Sequence, residues 1–485
     1  MRKRTGILSN ARRAALEQLL GKSEARTKKE SADYGKSLRK AVPRDVFAAW
    51  CPQPTRPAAA DLIRSQDVQR VPELVPIRHE RMAISPFAFY RGAALVMASD
   101  LSPMPTTGIE VQLCGDAHIS NFGLFLSPER RTVFDINDFD ETTRGPWEWD
   151  VARLVASIEI CGRERGFSVK QRRNAALEAG RAYREAMRGF AQRGNLDVWY
   201  AHVDIDNLLD EMAGDLSKSQ RKRAGKSVKK SKGKNSLRAV NKLTEVVDGD
   251  LRVISDPPFV VPLRDLAQAA GATVPADLDM ARVVSTVLAA YRKTLPPERA
   301  ALVRSYRGVD MARKVVGVGS VGTRAWIVVL EGADTDDPLV LQVKEATASV
   351  LERYVGKAPQ RNHGQRVVEG QHAIQTVSDM LLGWTSLPDG NGHVRDYYVR
   401  QLWDGKGGID LDSIEPKSLC RLASACGWTL AHAHARTGDR FAIAAYLGKS
   451  EIFEEAMATF ASAYADQNER DYQVFCDSRR VTATA

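Results

Sequence analysis

The chain has 485 residues, of which 44% are hydrophobic and 27% charged, the composition of a globular protein with room for two or three domains. It has no apolar run long enough to cross a membrane, and its basic start lacks the apolar core of a signal peptide, so we expect a cytoplasmic protein with no membrane partner. The six cysteines form no C-x-x-C pair, and their spacing predicts neither a zinc site nor a disulfide framework.

The net charge of +10 is concentrated in residues 218–234, KSQRKRAGKSVKKSKGK. We interpret the surrounding segment, 217–236, as a solvated, mobile loop. The alternative is a contact for the phosphates of a nucleic acid or of an acidic substrate. No aromatic residues lie between these charges to stack on bases, so nucleic acid is not the expected partner.

In chain order, the apolar patterns predict four regions. Residues 1–75 form a polar, helical leader that ends in a proline-rich connector. Residues 76–300 combine helices with short strands at 109–113 and 131–138. Residues 301–403 contain β-branched runs separated by Gly, Asp and Pro, which predicts a strand-rich lobe. Residues 404–485 predict helices that pack on the 76–300 region.

An acidic stretch at 115–141, GDAHISNFGLFLSPERRTVFDINDFDE, carries the strongest chemical signal. Asp116 and Asn121 follow one predicted strand, and Asp135 and Asp138 end the next. Oxygen ligands that converge from two paired strands suit Mg²⁺ with phosphates, and Asp116 is then free to accept a proton from a substrate hydroxyl. The alternative is a surface acidic turn, which the interleaved Phe and Ile residues disfavour.

A glycine loop, GVGSVG at 317–322, places Gly317, Gly319 and Gly322 in a G-x-G-x-x-G pattern between two predicted strands. Glycine lets backbone N–H groups approach phosphate oxygens closely. A dinucleotide-binding loop would instead lead from a strand into a helix. The alternative is a plain β-turn.

A lysine, Lys344, follows the glycine loop on the predicted strand PLVLQVKEA. It could pair with phosphate oxygens and be oriented by a glutamate, for which Glu369 is the best-placed candidate and Glu345 and Glu352 are rivals. The alternative is an exposed strand lysine.

Two family resemblances rest on these motifs. The signatures RGAA, GDAHISNFG, NDFDE, GVGSVGTR and LQVKEA stand in order over about residues 60–475 and make the chain similar to an uncharacterised bacterial family, domain of unknown function 2252. GDAHISN, FDINDFDE and GPWEWDVARL also resemble motifs of the aminoglycoside and choline phosphotransferases. That second resemblance implies an α+β, two-lobed, protein-kinase-like fold that binds ATP and Mg²⁺ and phosphorylates an unknown, small acceptor.

The second resemblance also implies residue roles. Asp116 is similar to the catalytic base, and His118 to the histidine that shapes its loop. Asn121 and Asp138 are similar to the metal ligands, with Asp135 a rival to Asp138. The residues implied to bind the nucleotide are Gly317, Gly319, Gly322, Lys344 and Glu369.

The order of the motifs is reversed relative to kinases, because the catalytic motifs precede the glycine loop. We therefore expect a circular permutation, which requires only that the new termini be exposed and the old ones be close. The pattern LAHAHA at 430–435 resembles the helix that normally enters the catalytic loop, and Asp150 resembles the helix residue that buttresses that loop.

Several alternatives stay open at this stage. The same motifs could belong to a catalytically silent nucleotide-binding regulator, to a nucleotidyl transferase, or to a metal-dependent phosphohydrolase that uses the acidic stretch alone. Arg91 of RGAA either reaches the acidic stretch or packs between helices. His432 and His434 are two residues apart, so they do not share a helix face, and we expect them to pack rather than bind a ligand.

Overall fold

The computed structural model describes residues 26–205 and 225–484, except 227, 230–231, 234, 248–249, 270–279, 316, 335 and 389–391. The first part of the predicted leader and most of the predicted basic loop at 217–236 lie outside these residues. The described chain is a mixed α+β fold, as predicted. The six cysteines, all within the described ranges, are free thiols. None of the described helices combines the length and the apolar character needed to cross a membrane.

The helices and strands are numbered in chain order over the described residues. The α-helices are α1 (Lys28–Ala41), α2 (Ala59–Asp67), α3 (Val75–Met82), α4 (Pro86–Arg91), α5 (Ala94–Leu101), α6 (Trp147–Glu164), α7 (Val169–Phe190), α8 (Asn195–Tyr200), α9 (Ser236–Leu243), α10 (Leu263–Ala269), α11 (Met280–Arg292), α12 (Pro297–Arg304), α13 (Glu352–Val355), α14 (His363–Ile374), α15 (Pro416–Thr437), α16 (Arg440–Leu447) and α17 (Ile452–Thr484). The strands are β1 (Glu110–Leu113), β2 (Phe122–Leu126), β3 (Thr132–Ile136), β4 (Thr143–Pro146), β5 (Val203–Asp204), β6 (Thr244–Val247), β7 (Asp250–Val253), β8 (Val260–Pro262), β9 (Arg307–Lys314), β10 (Ala325–Glu331), β11 (Pro338–Ala346), β12 (Gly383–Pro388), β13 (Val394–Gln401) and β14 (Gly407–Gly408).

A six-stranded antiparallel sheet, in the order β12-β13-β11-β10-β9-β8, forms the strand-rich part. Side chains alternate between the two faces of a strand, and β10 is apolar on both. Val328 and Leu330 pack in one core with α11, whereas Ile327 and Val329 pack in a second core with α9. Because β8, α9 and α11 precede residue 301, this unit begins earlier in the chain than the predicted 301–403 lobe.

A helical core lies beside the sheet. Helix α6 packs against α7, α15 and α17, so the helices after residue 404 contact those of the first region. The sequence predicts one apolar face for α6, but nearly all of its residues are buried because helices surround it. The predicted single helix at 85–101 is divided at Gly92 into α4 and α5. A Cβ atom at Gly92 would lie 2.7 Å from the sulfur of Met82, so a larger residue there would require the Met82 side chain to shift.

The described part of the predicted leader is built into this core. Helix α1 packs so closely on α16 that a Cβ atom at Gly35 would lie 2.1 Å from the carbonyl oxygen of Ala442. Arg56 bridges two helices, with Nη2 2.9 Å from Oδ2 of Asp100 and 2.6 Å from Oδ2 of Asp471. The segment therefore supports the helical core from its outer side.

A small sheet in the order β14-β2-β3-β5 connects the two parts. Strand β14 follows the six-stranded sheet in the chain, and its Gly407 pairs with Leu124 of β2. The β2–β3 hairpin is thereby fixed next to the six-stranded sheet. The acidic residues that follow β3 consequently reach the strand that carries Lys344.

Candidate functional site

A cavity of about 440 Å³ lies where the acidic stretch meets the glycine loop. The acidic stretch lines it with Asp116, His118, Asn121, Asp138, Asp140 and Glu141, and the loop lines it with Gly317, Val318, Gly319 and Ser320. Arg70, Arg91 and several residues between 345 and 357 also line it. A wider hollow of about 740 Å³ between α1 and α16 includes none of these residues. The first cavity therefore unites the motifs that the sequence singles out.

The loop that carries Asp116 is held by Asp150, in the first turn of α6. The Asp150 carboxylate accepts hydrogen bonds from the backbone nitrogens of Cys114, at 2.8 Å, and Gly115, at 3.1 Å. Gly115 has a φ of +83°, and a Cβ atom there would lie 2.1 Å from the carbonyl oxygen of Glu141. His434 of α15 is fully buried, with Nε2 3.3 Å from Oδ2 of Asp150. The loop is thus fixed by a residue from α6 and, through it, by the C-terminal helices.

Asp116 lies at the centre of a short network. Its Oδ1 atom is 2.7 Å from Nη2 of Arg153, and its Oδ2 atom is 3.6 Å from Nε2 of His118. The side-chain amide of Asn121 donates to the Asp116 carbonyl oxygen at 2.8 Å. Burial raises the pKa of Asp116 although Arg153 opposes the shift, and burial together with Arg153 holds the pKa of His118 well below its usual value. At neutral pH the imidazole is therefore uncharged.

The two rival metal candidates, Asp135 and Asp138, lie in different surroundings. Asp138 follows β3, lines the cavity and lies close to Asp140. Asp135, inside β3, is 3% exposed and away from the cavity, and its charged neighbour is Arg436. Burial raises the pKa of Asp135 to about 7. The structure thus brings Asp138, rather than Asp135, together with Asp116 and Asn121.

A metal ion in the cavity would need oxygen ligands from more than one source. Across the part of the chain that the structure describes, no three His, Cys, Asp or Glu side chains are arranged to hold a metal ion. Asn121 and Asp138 offer one amide and one carboxylate oxygen. Mg²⁺ keeps several waters and is commonly held by one or two carboxylates together with substrate phosphates. The cavity therefore suits a cation that arrives with a phosphate ligand.

Lys344 on β11 is 2% exposed and points at the acidic stretch. Its Nζ atom contacts the Asp140 carboxylate and donates to Oγ of Ser320 at 2.8 Å. The hydroxyl of Tyr398 donates to Oδ1 of Asp140 at 2.8 Å. Burial disfavours the charge on Lys344, but Asp140 outweighs burial and raises the lysine pKa. Lys344 is therefore a cation beneath the glycine loop rather than an exposed strand lysine.

The glutamate that the sequence assigns to Lys344 lies elsewhere. Glu369 is on the exposed face of α14, where it accepts a hydrogen bond from Nε2 of Gln365 at 2.6 Å. Of the rivals, Glu345 pairs with Arg395 at 3.0 Å, and Glu352 accepts from the backbone nitrogen of Ser349 at 3.1 Å. The structure does not bring these glutamates to Lys344, and its carboxylate partner is Asp140.

The glycine loop connects β9 and β10, which pair antiparallel, so it lies between two strands as predicted. Gly317 and Gly322 have φ angles of +69° and +89°, which favour glycine. A Cβ atom at Gly319 would lie 3.2 Å from the carbonyl oxygen of Arg91. Arg70 donates to the carbonyl oxygen of Val321. The segment 70–92 therefore packs against the glycine loop and supports it.

Sequence reasoning overlooked Arg70, Arg153 and Tyr398, and it gave Asp140 no specific role. Tyr398 and Arg70 contact the site across a long stretch of chain: 258 residues separate Tyr398 from Asp140, and 251 separate Arg70 from Val321. The sequence carries no local signal for such pairs. Arg153 is the exception, since it lies one helical turn after Asp150 on α6 and a search for the partner of Asp116 could have found it.

Residues 70–478 match a family described as an uncharacterized protein conserved in bacteria, DUF2252. The chain belongs to the DUF2252 family. This confirms the first of the two family resemblances. Neither a curated protein nor a solved structure matches this DUF2252 protein at a significant level. The matched range begins at Arg70 and includes the acidic stretch, the glycine loop and Lys344.

Proposed function

We propose that this protein is a Mg²⁺-dependent, ATP-binding phosphotransferase with a kinase-like site that acts on a small acceptor. One observation carries the proposal: a single cavity joins Asp116, Asn121 and Asp138 to a strand–glycine–strand loop, with the Lys344 cation beneath that loop. Phosphoryl transfer depends mainly on positioning and on charge stabilisation around the phosphates. These residue types, in one cavity, meet both needs.

The nucleotide would be held from the strand-rich side. Backbone N–H groups of the glycine loop and the Lys344 ammonium would contact its phosphates. Asn121 and Asp138 would hold Mg²⁺, and bound Mg²⁺ would neutralise charge on the phosphates. Lys344 keeps its charge because of Asp140, so it can serve as a phosphate ligand without first gaining a proton.

The acceptor would be activated from the helical side. Asp116 lines the cavity, and Arg153 fixes its carboxylate through Oδ1. In the proposed reaction Asp116 orients the acceptor hydroxyl and accepts its proton. Burial raises the pKa of Asp116 from its ordinary value, which brings the carboxylate nearer the basicity that a general base needs. His118, uncharged at neutral pH, shapes the same loop.

The proposed circular permutation has independent support at the end of α15. The hydroxyl of Thr437 accepts a hydrogen bond from the backbone nitrogen of Gln112 at 3.1 Å. A Cβ atom at Gly438 would lie 2.6 Å from Cγ1 of Val111. Helix α15 therefore ends beside β1, the strand that leads into the Asp116 loop. In the usual order, a helix enters the catalytic loop directly. Here, a short connection from the end of α15 to β1 would restore that order.

The deciding experiment is a calorimetric titration of ATP, with and without Mg²⁺, into the wild type and two variants. We expect Mg²⁺-dependent binding in the wild type, a loss of about tenfold or more in affinity for Asp138→Ala, and little change for Asp135→Asn. Asp135→Asn is the matched control, because Asp135 is buried in the same segment but away from the cavity. Absence of ATP binding in the wild type would refute the proposal. Binding without any turnover would instead favour the silent regulator.

A further inference from the structure

Two arginines that line the cavity are given no partner by the sequence motifs or by the proposed reaction. Arg91 ends α4, and Arg70 precedes α3. Within the described ranges the Arg91 guanidinium makes no hydrogen bond or ion pair, and its Nε atom is buried. The Nε atom of Arg70 is also buried without a partner among the described residues, although Nη1 of Arg70 bonds to Val321.

A guanidinium that has no acceptor in the protein favours the binding of an anion. A buried guanidinium nitrogen that loses water and gains no acceptor raises the free energy of the folded state. Asp116 and Asp138 attract Arg91 more strongly than the other acids around it, but burial outweighs their effect and lowers the pKa of Arg91. Asp116 forms no ion pair with Arg91 in the described structure, because its Oδ1 atom is directed at Nη2 of Arg153, 2.7 Å away. An anion in the cavity would accept hydrogen bonds from the Nη atoms of Arg91, for which the described structure gives no acceptor.

The remaining carboxylates of the wall are already engaged. Glu141 accepts from the backbone nitrogen of Val350 at 2.7 Å, and Glu345 pairs with Arg395. Two further cations, Arg353 and Lys357, line the cavity and are exposed. Asp67, Glu141 and other acids attract Arg70, but the described structure shows no ion pair between Arg70 and any of them.

We propose that Arg70 and Arg91 form a subsite for an oxyanion, phosphate or carboxylate, that the acceptor carries. The inference rests on the proposed function. A guanidinium offers a planar fork of N–H donors that matches the two oxygens of such a group. The nucleotide already has the glycine loop and Lys344 for its phosphates, whereas Arg91 lies near Asp116, the residue placed to activate the acceptor. A volume of about 440 Å³ suits a small molecule. The acceptor is thus a small alcohol that bears an anionic group.

The same subsite could take its oxyanion from the terminal phosphate of the nucleotide, so the test separates the two sources. Inorganic phosphate is titrated into the protein saturated with Mg²⁺ and a non-hydrolysable ATP analogue. We expect phosphate to bind alongside the analogue in the wild type and to bind about tenfold or more weakly in Arg91→Gln and Arg70→Gln. Arg91→Lys should recover part of the affinity. Arg64→Gln is the control, since Arg64 pairs with Asp61 on the exposed side of α2.

Three results would overturn the inference: competition between phosphate and the analogue, no phosphate binding, or an equal loss of analogue affinity in Arg91→Gln. Arg91→Gln removes no protein hydrogen bond, so it tests the subsite even if Arg70→Gln fails to fold. If the analogue itself does not bind the wild type, the phosphotransferase proposal fails. In that case the oxyanion subsite is tested by phosphate binding to the free protein and by the loss of that binding in Arg91→Gln.

Discussion

Lys344 and Asp140 form an ion pair across 204 residues of sequence. The lysine side chain is 2% exposed and the aspartate 26%, so Asp140 lines the cavity and Lys344 lies buried behind it. It joins β11 of the six-stranded sheet to the turn that follows β3. Removal of one partner of a buried pair leaves the other charge uncompensated, which costs more than the pair itself contributes. The contact therefore fastens the two parts of the site and orients the lysine.

Asp140→Asn should lower the free energy of unfolding by about 2 kcal/mol, a value reduced because the aspartate is partly exposed. The same change should weaken ATP binding, since Lys344 loses the carboxylate that fixes it. Glu369→Gln is the matched control, and neither quantity should change there. Urea unfolding and calorimetry measure the two effects. Unchanged stability and ATP affinity in Asp140→Asn would contradict the role assigned to the pair.

Asp116→Asn should abolish phosphoryl transfer while ATP affinity stays within about threefold of the wild type. The reason is that a general base contributes about a hundredfold or more to the rate but holds no part of the nucleotide. Release of phosphate to water provides an assay before the acceptor is known. A variant with normal turnover would show that Asp116 is not the base.

Asp150→Ala should destabilise the Asp116 loop, because two backbone N–H groups lose a charged acceptor. We expect a loss of about 3 kcal/mol in the free energy of unfolding and faster hydrogen exchange at Cys114 and Gly115. Glu110→Gln, at an exposed position on β1, is the control. Unchanged exchange at the two amides would show that other contacts hold the loop.

Glu148 gives a pH-dependent prediction. Its Oε1 atom accepts two bonds from Thr107, and its Oε2 atom is buried without a partner in the described structure. Burial raises the pKa of Glu148 from 4.5 to about 7. The folded state therefore keeps a proton that the unfolded state releases, and the stability from this group is complete below pH 4.5 and is lost as the pH rises to about 7.

Glu148→Gln, which mimics the protonated acid, should remove this dependence. Relative to the wild type, the variant should gain on the order of 3 kcal/mol of stability between pH 4 and pH 8. Urea unfolding at several pH values measures the difference, and comparison with the wild type cancels the titration of Asp135 and Glu141. A constant difference between variant and wild type at all pH values would contradict the assignment.

The sequence predicts the α+β class, the family and the grouping of the acidic stretch with the glycine loop, because local motifs carry these features. It does not predict the partner of Lys344, because that depends on how α14 is rotated against the sheet. A Cβ atom at Gly364 would lie 2.2 Å from the carbonyl oxygen of Tyr397, and one at Gly370 would lie 2.5 Å from the side chain of Thr142. The glycine side of α14 consequently faces inward, and Glu369 faces solvent.

The sequence also fails to predict the position of Arg70 beside the glycine loop, for a related reason. The sequence assigns it to a polar leader, because charged residues and prolines around it indicate a surface segment. In the structure the chain from 70 to 92 passes under the glycine loop, and the backbone nitrogen of Val71 donates to the carbonyl oxygen of Gly322 at 2.8 Å. Contacts of this kind depend on the packing of distant segments and leave no periodic pattern.

The distance along the sequence between Asp140 and Lys344 also determines when the two residues emerge during translation. A ribosome adds roughly 5 to 20 residues each second, so the lysine emerges roughly 10 to 40 s after the aspartate, 204 residues earlier in the chain. His434, which supports Asp150, follows that aspartate by 284 residues. The acidic stretch is therefore translated well before Lys344 and His434, and the site can close only when the nascent chain is nearly finished.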